Sequence, residues 1–423
     1  MSFPRYPAYK DTGVAWLGRV PEHWGVAPFK RFVQLQNGAD YKDIESDDGY
    51  PVIGSGGPFA FATKFMHDGE SVLLGRKGTI DKPLFLTGRF WTVDTMYWTR
   101  IASDVNARFC YYAALIIPFG YYATNTALPS MTKGAIHGHL VCCPTLSEQV
   151  QIAAFLDHET AKIDALIGEQ QRLIELLNEK RQAVISHAVT KGLNPNAPMK
   201  PSGVEWLGDM PEHWALMPLK RNLLFLTSGS RGWADHYADD GDLFLRITNL
   251  TRGSVELDLS DIQRVCVPVG AEGARTLVQA GDVLFSITAY LGSVAVVPEE
   301  LETAYVSQHV ALARLRPAQV HPKWVGYVAL SSVGKTWFEQ QSYGGTKIQL
   351  SLDDVRNLPV PVPPVSEQLL IVAFVDSKLE EFGRLKAESL RAIDVLQERR
   401  SALISAAVTG QIDVRGFASQ EAA

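Results

Sequence analysis

Cysteine is scarce. Four residues in 423, Cys110, Cys142, Cys143 and Cys266, are too few and too unevenly spaced for a disulfide framework, and a reducing cytoplasm is expected. No apolar run approaches the roughly 18 residues of a membrane span. The opening Met1-Ser2-Phe3-Pro4-Arg5 has no basic stretch leading into an apolar one, so no secretory signal is expected. An excess of charge is also missing: 40 basic residues face 46 acidic ones, giving a net charge of −6. Global charge therefore gives no support for nucleic-acid binding, and any such role has to come from local arrangement. What is present describes an ordinary globular chain, 46% hydrophobic and 20% charged with a mean hydropathy of −0.02. Its length allows several cores, about three units at roughly 150 residues each.

Internal repeats carry most of the information. Gly13-Val14-Ala15-Trp16-Leu17-Gly18, then Pro21-Glu22-His23-Trp24, returns as Gly203-Val204-Glu205-Trp206-Leu207-Gly208, then Pro211-Glu212-His213-Trp214. Pro28, Lys30 and Arg31 match Pro218, Lys220 and Arg221, so twelve of nineteen positions agree, with four tryptophans in register. A second pair sets Pro144, Ser147-Glu148-Gln149, Ile152, Ala154, Phe155 and Asp157 against Pro363, Ser366-Glu367-Gln368, Ile371, Ala373, Phe374 and Asp376. A third sets residues 179–190 against 398–409. The first pair is displaced by 190 residues and the others by 219 (203 − 13; 366 − 147; 398 − 179). A repeated frame therefore surrounds two dissimilar inserts, and the second is 29 residues longer (219 − 190).

The expected order is an N-terminal frame segment (1–31), insert one (32–143), a central long helix (144–190), a linker with repeated frame (191–221), insert two (222–362), a C-terminal long helix (363–410) and a flexible tail (411–423). Ser147 and Ser366 follow prolines as N-caps would. A heptad-like stripe runs through Ile152, Leu156, Ile163, Leu166, Leu173, Leu177 and Val184, and a second through Ile371, Phe374, Phe382, Leu385, Ile393, Leu396 and Leu403. Helices of about 40 residues, roughly 60 Å, cannot bury such stripes alone, which predicts an antiparallel coiled coil within the chain. Gln170 and Ser389 hold equivalent stripe positions, either fixing register or lying at a solvated edge. Both inserts read as strands broken by glycine followed by a helix, over 106–117 in one and 323–340 in the other. The fold class is α+β, with a pseudo-twofold internal repeat.

Catalytic signals are weak. Ala329 to Thr336, with Gly334-Lys335-Thr336, matches a relaxed phosphate loop, but the stretch before it reads as helix and alanine replaces the first glycine. His137, His139, Cys142 and Cys143 lack a second ligand pair at zinc spacing, and a strand edge leading into Pro144 explains them better. His23 and His213 read as scaffold packing beside tryptophan. No nucleophile elbow appears. Neither an amino-methyltransferase motif nor a nuclease carboxylate–lysine cluster is found, which argues against self-contained catalysis.

The doubled motifs, Gly-Val-x-Trp-Leu-Gly with Pro-Glu-His-Trp before each insert and Pro-x-x-Ser-Glu-Gln with Ile-x-Ala-Phe after it, make the chain resemble the specificity subunit of type I restriction–modification systems. The closing Glu-x-Arg-x-Ala-x-Ile-Ser with Ala-Val-Thr completes the match, which extends to about residue 410. Insert one departs slightly, having Val141-Cys142-Cys143-Pro144 where insert two has Val360-Pro361-Val362-Pro363-Pro364. The resemblance implies two target-recognition domains, each reading one half of a bipartite, asymmetric sequence in double-stranded DNA. The paired helices would act as a ruler. The subunit binds two methyltransferase subunits carrying S-adenosylmethionine. Two restriction subunits supply ATP- and Mg-dependent translocation and cleavage. The chain itself would hold no cofactor and no metal and would not catalyse; its setting would be the bacterial or archaeal cytoplasm. Modules on one DNA face lie near one helical turn apart, about 34–36 Å.

Base edges need polar side chains on exposed loops. In insert one the candidate DNA-binding cluster is Arg76, Lys77 and Thr79 at a glycine turn after a strand, with Ser55, Lys133 and His137 as further candidates. In insert two the candidates are Arg246, Thr248 and Asn249, together with Ser230, Arg231, Tyr290, Thr346, Lys347 and Gln349. For each the plain alternative is a solvated loop residue. Neither insert is strongly basic, so phosphate contacts must be local or come from partner subunits. A competing reading takes the chain as a protein-interaction scaffold whose inserts bind protein.

Overall fold

A computed structural model of the chain describes residues 3–124, 129–229, 231–268, 271–316, 319–342 and 349–417. It divides into two compact units. The first holds the described residues of Met1–Gln170 and Arg391–Ala423, and the second is Gln171–Leu390. Insert one lies in the first unit and insert two in the second.

In the first unit the insert is closed at its root by a short ladder. Strand β1 (Gly25–Pro28) pairs antiparallel with β11 (Leu140–Cys143), which ties the residues before the insert to those after it. Between them run β2 (Val33–Asn37), β3 (Glu45–Ser46), β4 (Tyr50–Gly54), β5 (Gly57–Ala62), β6 (His67–Asp68), β7 (Ser71–Gly75), β8 (Leu84–Leu86), β9 (Arg89–Thr92) and β10 (Met96–Ile101). Helices α1 (Ala107–Leu115) and α2 (Lys133–Gly138) follow. The strands form two sheets, ordered β8-β7-β10-β2 and β3-β5-β4-β9-β6. The first is antiparallel throughout, and β4 and β9 are parallel in the second.

The second unit repeats this plan. Strand β12 (Ala215–Pro218) pairs with β21 (Pro359–Val362) at the root. Between them are β13 (Leu223–Ser228), β14 (Tyr237–Ala238), β15 (Asp242–Leu245), β16 (Arg264–Val265), β17 (Val283–Ser286), β18 (Val294–Val296), β19 (Ala304–Val306) and β20 (Val310–Leu315). Helices α4 (Pro322–Leu330), α5 (Ser332–Gln341) and α6 (Leu352–Arg356) complete it. The sheets are ordered β18-β17-β20-β13 and β14-β16-β15-β19, and β15 and β19 are again parallel. Apart from β6, which has no counterpart, this is the strand order of insert one. The inserts are dissimilar in sequence and alike in fold, in line with the strand-then-helix order that both sequences carry.

The match extends to single residues. A Cβ on Gly38 would stand 1.9 Å from the Val93 carbonyl oxygen, and one on Gly229 would stand 2.0 Å from that of Val306. Each glycine, just past the first strand of its insert (β2 or β13), lets the chain meet the end of β9 or β19 at backbone contact.

Two helices are shared between the units. Helix α3 spans Leu146–Lys191 (46 residues), roughly 69 Å at about 1.5 Å per residue, and α7 spans Val365–Val408 (44 residues). In the first unit the start of α3 packs on the end of α7, with Ile152, Leu156 and Ile163 in one core with Leu403, Ile404 and Ala407. Arg400 Nε donates to Asp164 there at 2.9 Å. In the second unit the end of α3, with Ile185 and Val189, packs with the start of α7 at Ile371, Val375 and Leu379. Start against end in both units is the antiparallel pairing that the stripes predict. The stripes are not buried throughout: Leu166 and Leu173 are exposed, as is Phe374. Ser389 is buried and Gln170 half-buried.

The helix caps differ from the sequence expectation. The N-cap of α3 is Thr145: its hydroxyl accepts from Glu148 N–H (3.3 Å) and donates to Glu148 Oε2 (2.9 Å). Ser147 lies inside the first turn. In α7 the corresponding residue is Pro364, whose carbonyl accepts from Glu367 N–H at 2.9 Å. The tail also differs, because residues 411–417 pack onto the N-terminal frame. Val414 is buried, Asp413 N–H donates to the Pro4 carbonyl at 2.8 Å, and the Arg415 guanidinium lies 4.7 Å from the Tyr6 ring centroid.

Candidate nucleic-acid interface

The frame motifs build a clasp in each unit. Glu148 Oε1 accepts from His23 Nε2 (2.8 Å) and from the buried Trp24 Nε1 (3.2 Å). In the other unit Glu367 accepts from His213 Nε2 (2.8 Å) and Trp214 Nε1 (3.2 Å). The neighbouring glutamines act in parallel. Gln149 Nε2 donates to the Pro144 carbonyl and its Oε1 accepts from Asn106 N–H, while Gln368 does the same with Pro363 and His321. Asp157 then holds Arg108 and Tyr112, and Asp376 holds Lys323 and Tyr327. The most recognisable sequence motifs are thus the joints that fasten each insert to its helix. Burial pushes Glu148 up, but hydrogen bonds from His23, Trp24 and Thr145 outweigh it and hold the carboxyl below its ordinary range.

The candidate side chains of insert one gather at the turn after β7. Arg76 and Lys77 N–H both donate to the Thr95 carbonyl, at 2.8 and 3.2 Å. Gly78 N–H donates to Pro129, and Met131 N–H to the Arg76 carbonyl. The turn is therefore clamped between two other segments, leaving Lys77 and Thr79 exposed. Lys133, at the first turn of α2, places its ammonium 5.8 Å from the Tyr97 ring centroid. Arg76 lies beside the same ring, and the Tyr97 hydroxyl donates to the Met131 carbonyl at 3.0 Å. Tyr97 is the hub that sequence reasoning missed; its place inside β10 made it look like plain core. His137 Nε2 accepts from Leu35 N–H at 3.2 Å. Burial, with Lys133 and Lys30 nearby, lowers its pKa and favours the neutral ring that this bond needs. Ser55 sits apart, at the tip of the β4–β5 hairpin.

Insert two carries the same turn after β17. Ile287 N–H donates to the His309 carbonyl (3.0 Å), as Arg76 does to Thr95. Thr288 bridges to Gln349, as Lys77 does to Ser130. Tyr290 is exposed, with the Arg252 guanidinium 5.6 Å from its ring centroid. Thr288 Oγ1 and His309 Nδ1 are 3.0 Å apart, a pair the sequence did not single out. Arg246, Thr248 and Asn249 lie elsewhere, beyond β15. Arg246 pairs with Asp261 (2.8 Å), and Asn249 is buried, donating to the Asp258 and Asp261 carbonyls. Thr248 and Arg231 are exposed. Ser230, Thr346 and Lys347 lie outside the described residues.

The two rejected motifs have plain explanations. The stretch Ala329–Thr336 is the junction of α4 and α5, with no strand before it, and a Cβ on Gly334 would stand 2.1 Å from the Ala329 carbonyl oxygen. His139 stacks on Trp16 at 5.5 Å and shares a 2.8 Å hydrogen bond with the Tyr122 hydroxyl. Among the described residues no group of three or more histidine, cysteine or acidic side chains could hold a metal ion. No described helix is long and apolar enough to cross a membrane.

Known proteins agree with this architecture. Residues 273–392 match the family described as "Type I restriction modification DNA specificity domain". The type I restriction enzyme EcoBI specificity subunit of Escherichia coli is 23% identical over 95% of this chain and 89% of its own length. The MjaVIII specificity subunit of Methanocaldococcus jannaschii is 20% identical over 94% of this chain and 95% of its own. A solved structure, described as the basis of complex assembly and conformational transition of the type I R-M system, shares the fold. Its TM-score is 0.70 at 15% identity, covering 92% of this chain and 98% of that one. With a family domain running from insert two into α7, alignment from end to end and a common fold, the chain is similar throughout to the specificity subunits of type I restriction–modification systems.

Proposed function

We propose that each insert of this chain reads one half of a bipartite, asymmetric DNA target, with the gap between the halves set by the shared helices. The observation that carries the reading is the common turn. One scaffold presents Arg76-Lys77-Gly78-Thr79 in insert one and Ile287-Thr288-Ala289-Tyr290 in insert two. A constant framework with different side chains at one clamped turn is what two unlike half-sites require, because donors and acceptors on exposed side chains distinguish base pairs in the major groove. The chain binds and orients. Two methyltransferase subunits bring S-adenosylmethionine, and two restriction subunits bring ATP and Mg, in the bacterial or archaeal cytoplasm.

Long-read methylation mapping tests this in cells carrying the chain with its cognate methyltransferase subunit. A two-part motif with a fixed gap is expected, and exchanging insert one between its root strands, 32–139, changes only one half. No modified motif, with a methyltransferase shown to be active, favours the protein-interaction scaffold instead.

A further inference from the structure

Insert two holds a cavity of roughly 360 Å³ beside the turn at Ala289, lined by Arg252 and Lys335 and floored by Leu291, Leu330 and Phe338. Glu339 also lines it. Among the described residues neither Arg252 nor Lys335 pairs with a carboxylate. Other cations of the insert do: Arg246 with Asp261, Arg264 with Glu302, Arg314 with Asp282 and Arg356 with Asp353.

A further cation stands against Gly253, next in sequence to Arg252. Arg181 of α3 is half-buried, its Nε has no partner, and its Nη1 would stand 3.0 Å from a Cβ on Gly253. Burial pushes its pKa down. The repeat explains why it is uncompensated. Arg181 corresponds to Arg400, which pairs with Asp164, but the residue corresponding to Asp164 is Gly383 (164 + 219). Arg252 and Lys335 thus bring two cationic groups to one cavity without a carboxylate partner among the described residues, a charge that an anion would offset.

We infer that Arg252 and Lys335 anchor a backbone phosphate of the DNA strand read by insert two, with its deoxyribose on Leu291, Leu330 and Phe338, an assignment that rests on the DNA-reading function proposed above. The backbone supports the placement. Tyr290 N–H donates to the Thr288 carbonyl at 2.7 Å, closing a tight turn around Ala289, whose φ is +60°. Among the described residues Ala289 is the non-glycine residue held at positive φ, and strain of this kind gathers at ligand-clamping sites. The same turn carries Tyr290, on which the Arg252 guanidinium rests. Phosphate contacts position a protein on DNA without reading sequence, so this pair sets register for the side chains at the turn.

The test uses the assembled complex of the chain with its methyltransferase subunits and two duplexes, one with the mapped motif and one with the second half-site scrambled. Affinity is followed across a salt series for wild type, Arg252→Gln, Lys335→Gln and Arg252→Lys. Each glutamine variant is expected to lower the log–log salt slope by about 1 and to weaken both duplexes by the same factor. Arg252→Lys restores most of the slope, which a folding defect does not. Unchanged slopes overturn the anchor, and so does a loss confined to the intact motif, which is the mark of base reading. If wild type itself binds neither duplex in a salt-dependent way, the DNA-reading assignment falls and the anchor with it; if wild type binds and the variants match it, only the anchor falls.

Discussion

Gly78 and Ala289 occupy the same point of the same turn in the two inserts, with φ of +80° and +60°. In insert one the residue suits the backbone, whereas in insert two an alanine is held where L side chains are disfavoured by about 1–2 kcal/mol. Replacing Ala289 by glycine removes that strain and adds about 0.5–1 kcal/mol of unfolded-state freedom. Ala289→Gly should therefore raise the urea midpoint of the full chain by up to about 1 kcal/mol equivalent. Ala289→Val should lower it. A glycine variant less stable than wild type would refute the strain.

Gly38 and Gly229 should tolerate no side chain. An added Cβ meets a carbonyl oxygen at about half the normal contact distance in each insert, and the partner is backbone that cannot swing aside. Gly38→Ala is expected to cost more than about 3 kcal/mol, at the extreme of single-substitution effects. Limited proteolysis should then cut within 32–143 while 222–362 stays resistant, and Gly229→Ala should give the converse. Equal resistance of both inserts in either variant would contradict the close approach.

Much of this was legible in the sequence, for identifiable reasons. The frame motifs stand out because Trp24, His23 and Glu148 form one hydrogen-bonded joint that is used twice, and few substitutions preserve it. Helical periodicity exposed both long helices, although Leu166 and Leu173 face solvent, since apolar spacing records a helix face and not what covers it. The common order of strands and helix was legible, but the strand-by-strand correspondence was hidden because β7 and β17, or β10 and β20, need only be apolar. Ser71-Val72-Leu73-Leu74-Gly75 and Val283-Leu284-Phe285-Ser286 build the same strand without resembling each other. The turn cluster at Arg76 was found through its glycine. Its counterpart was only grazed at Tyr290, because alanine stands where the turn signal should be. Arg246 and Asn249 look like a recognition cluster in sequence, yet Asp261 and two carbonyls hold them within the insert.

The clasp carboxylate makes stability depend on pH in a defined direction. Glu148 has its pKa lowered by folding from the ordinary value of 4.5. Its contribution is therefore fully present above that value and is lost as pH falls through the depressed folded pKa. The urea midpoint should be flat with respect to this group from pH 8 to pH 5 and fall in more acidic solution. Glu148→Gln replaces one accepting oxygen with a donor, which cannot take the Thr145 hydrogen bonds, and should cost about 1–3 kcal/mol at pH 7. Denaturation series at pH 7 and pH 4 would show the difference between variant and wild type shrinking at the lower pH. A difference that grows on acidification would mean that the carboxylate is not the charged acceptor the geometry requires.

Gly383 separates stability from function most sharply. In the first unit Asp164 compensates Arg400, whereas in the second the position equivalent to Asp164 is Gly383, where a Cβ would meet nothing within 4 Å. Gly383→Asp restores the missing carboxylate and removes a mid-helix glycine. Helix propensity contributes a few tenths of a kcal/mol and a partly exposed ion pair about 0.5–1, so stability should rise by roughly 1 kcal/mol. The same substitution draws the Arg181 guanidinium away from Gly253 and lowers the positive field near Arg252. DNA affinity of the assembled complex should therefore fall several-fold, with a shallower salt slope, while the protein becomes more stable. Gly383→Asn shares the propensity gain without the charge and should leave DNA binding at the wild-type level. If Gly383→Asp and Gly383→Asn bind alike, Arg181 is a structural arginine and takes no part in holding DNA.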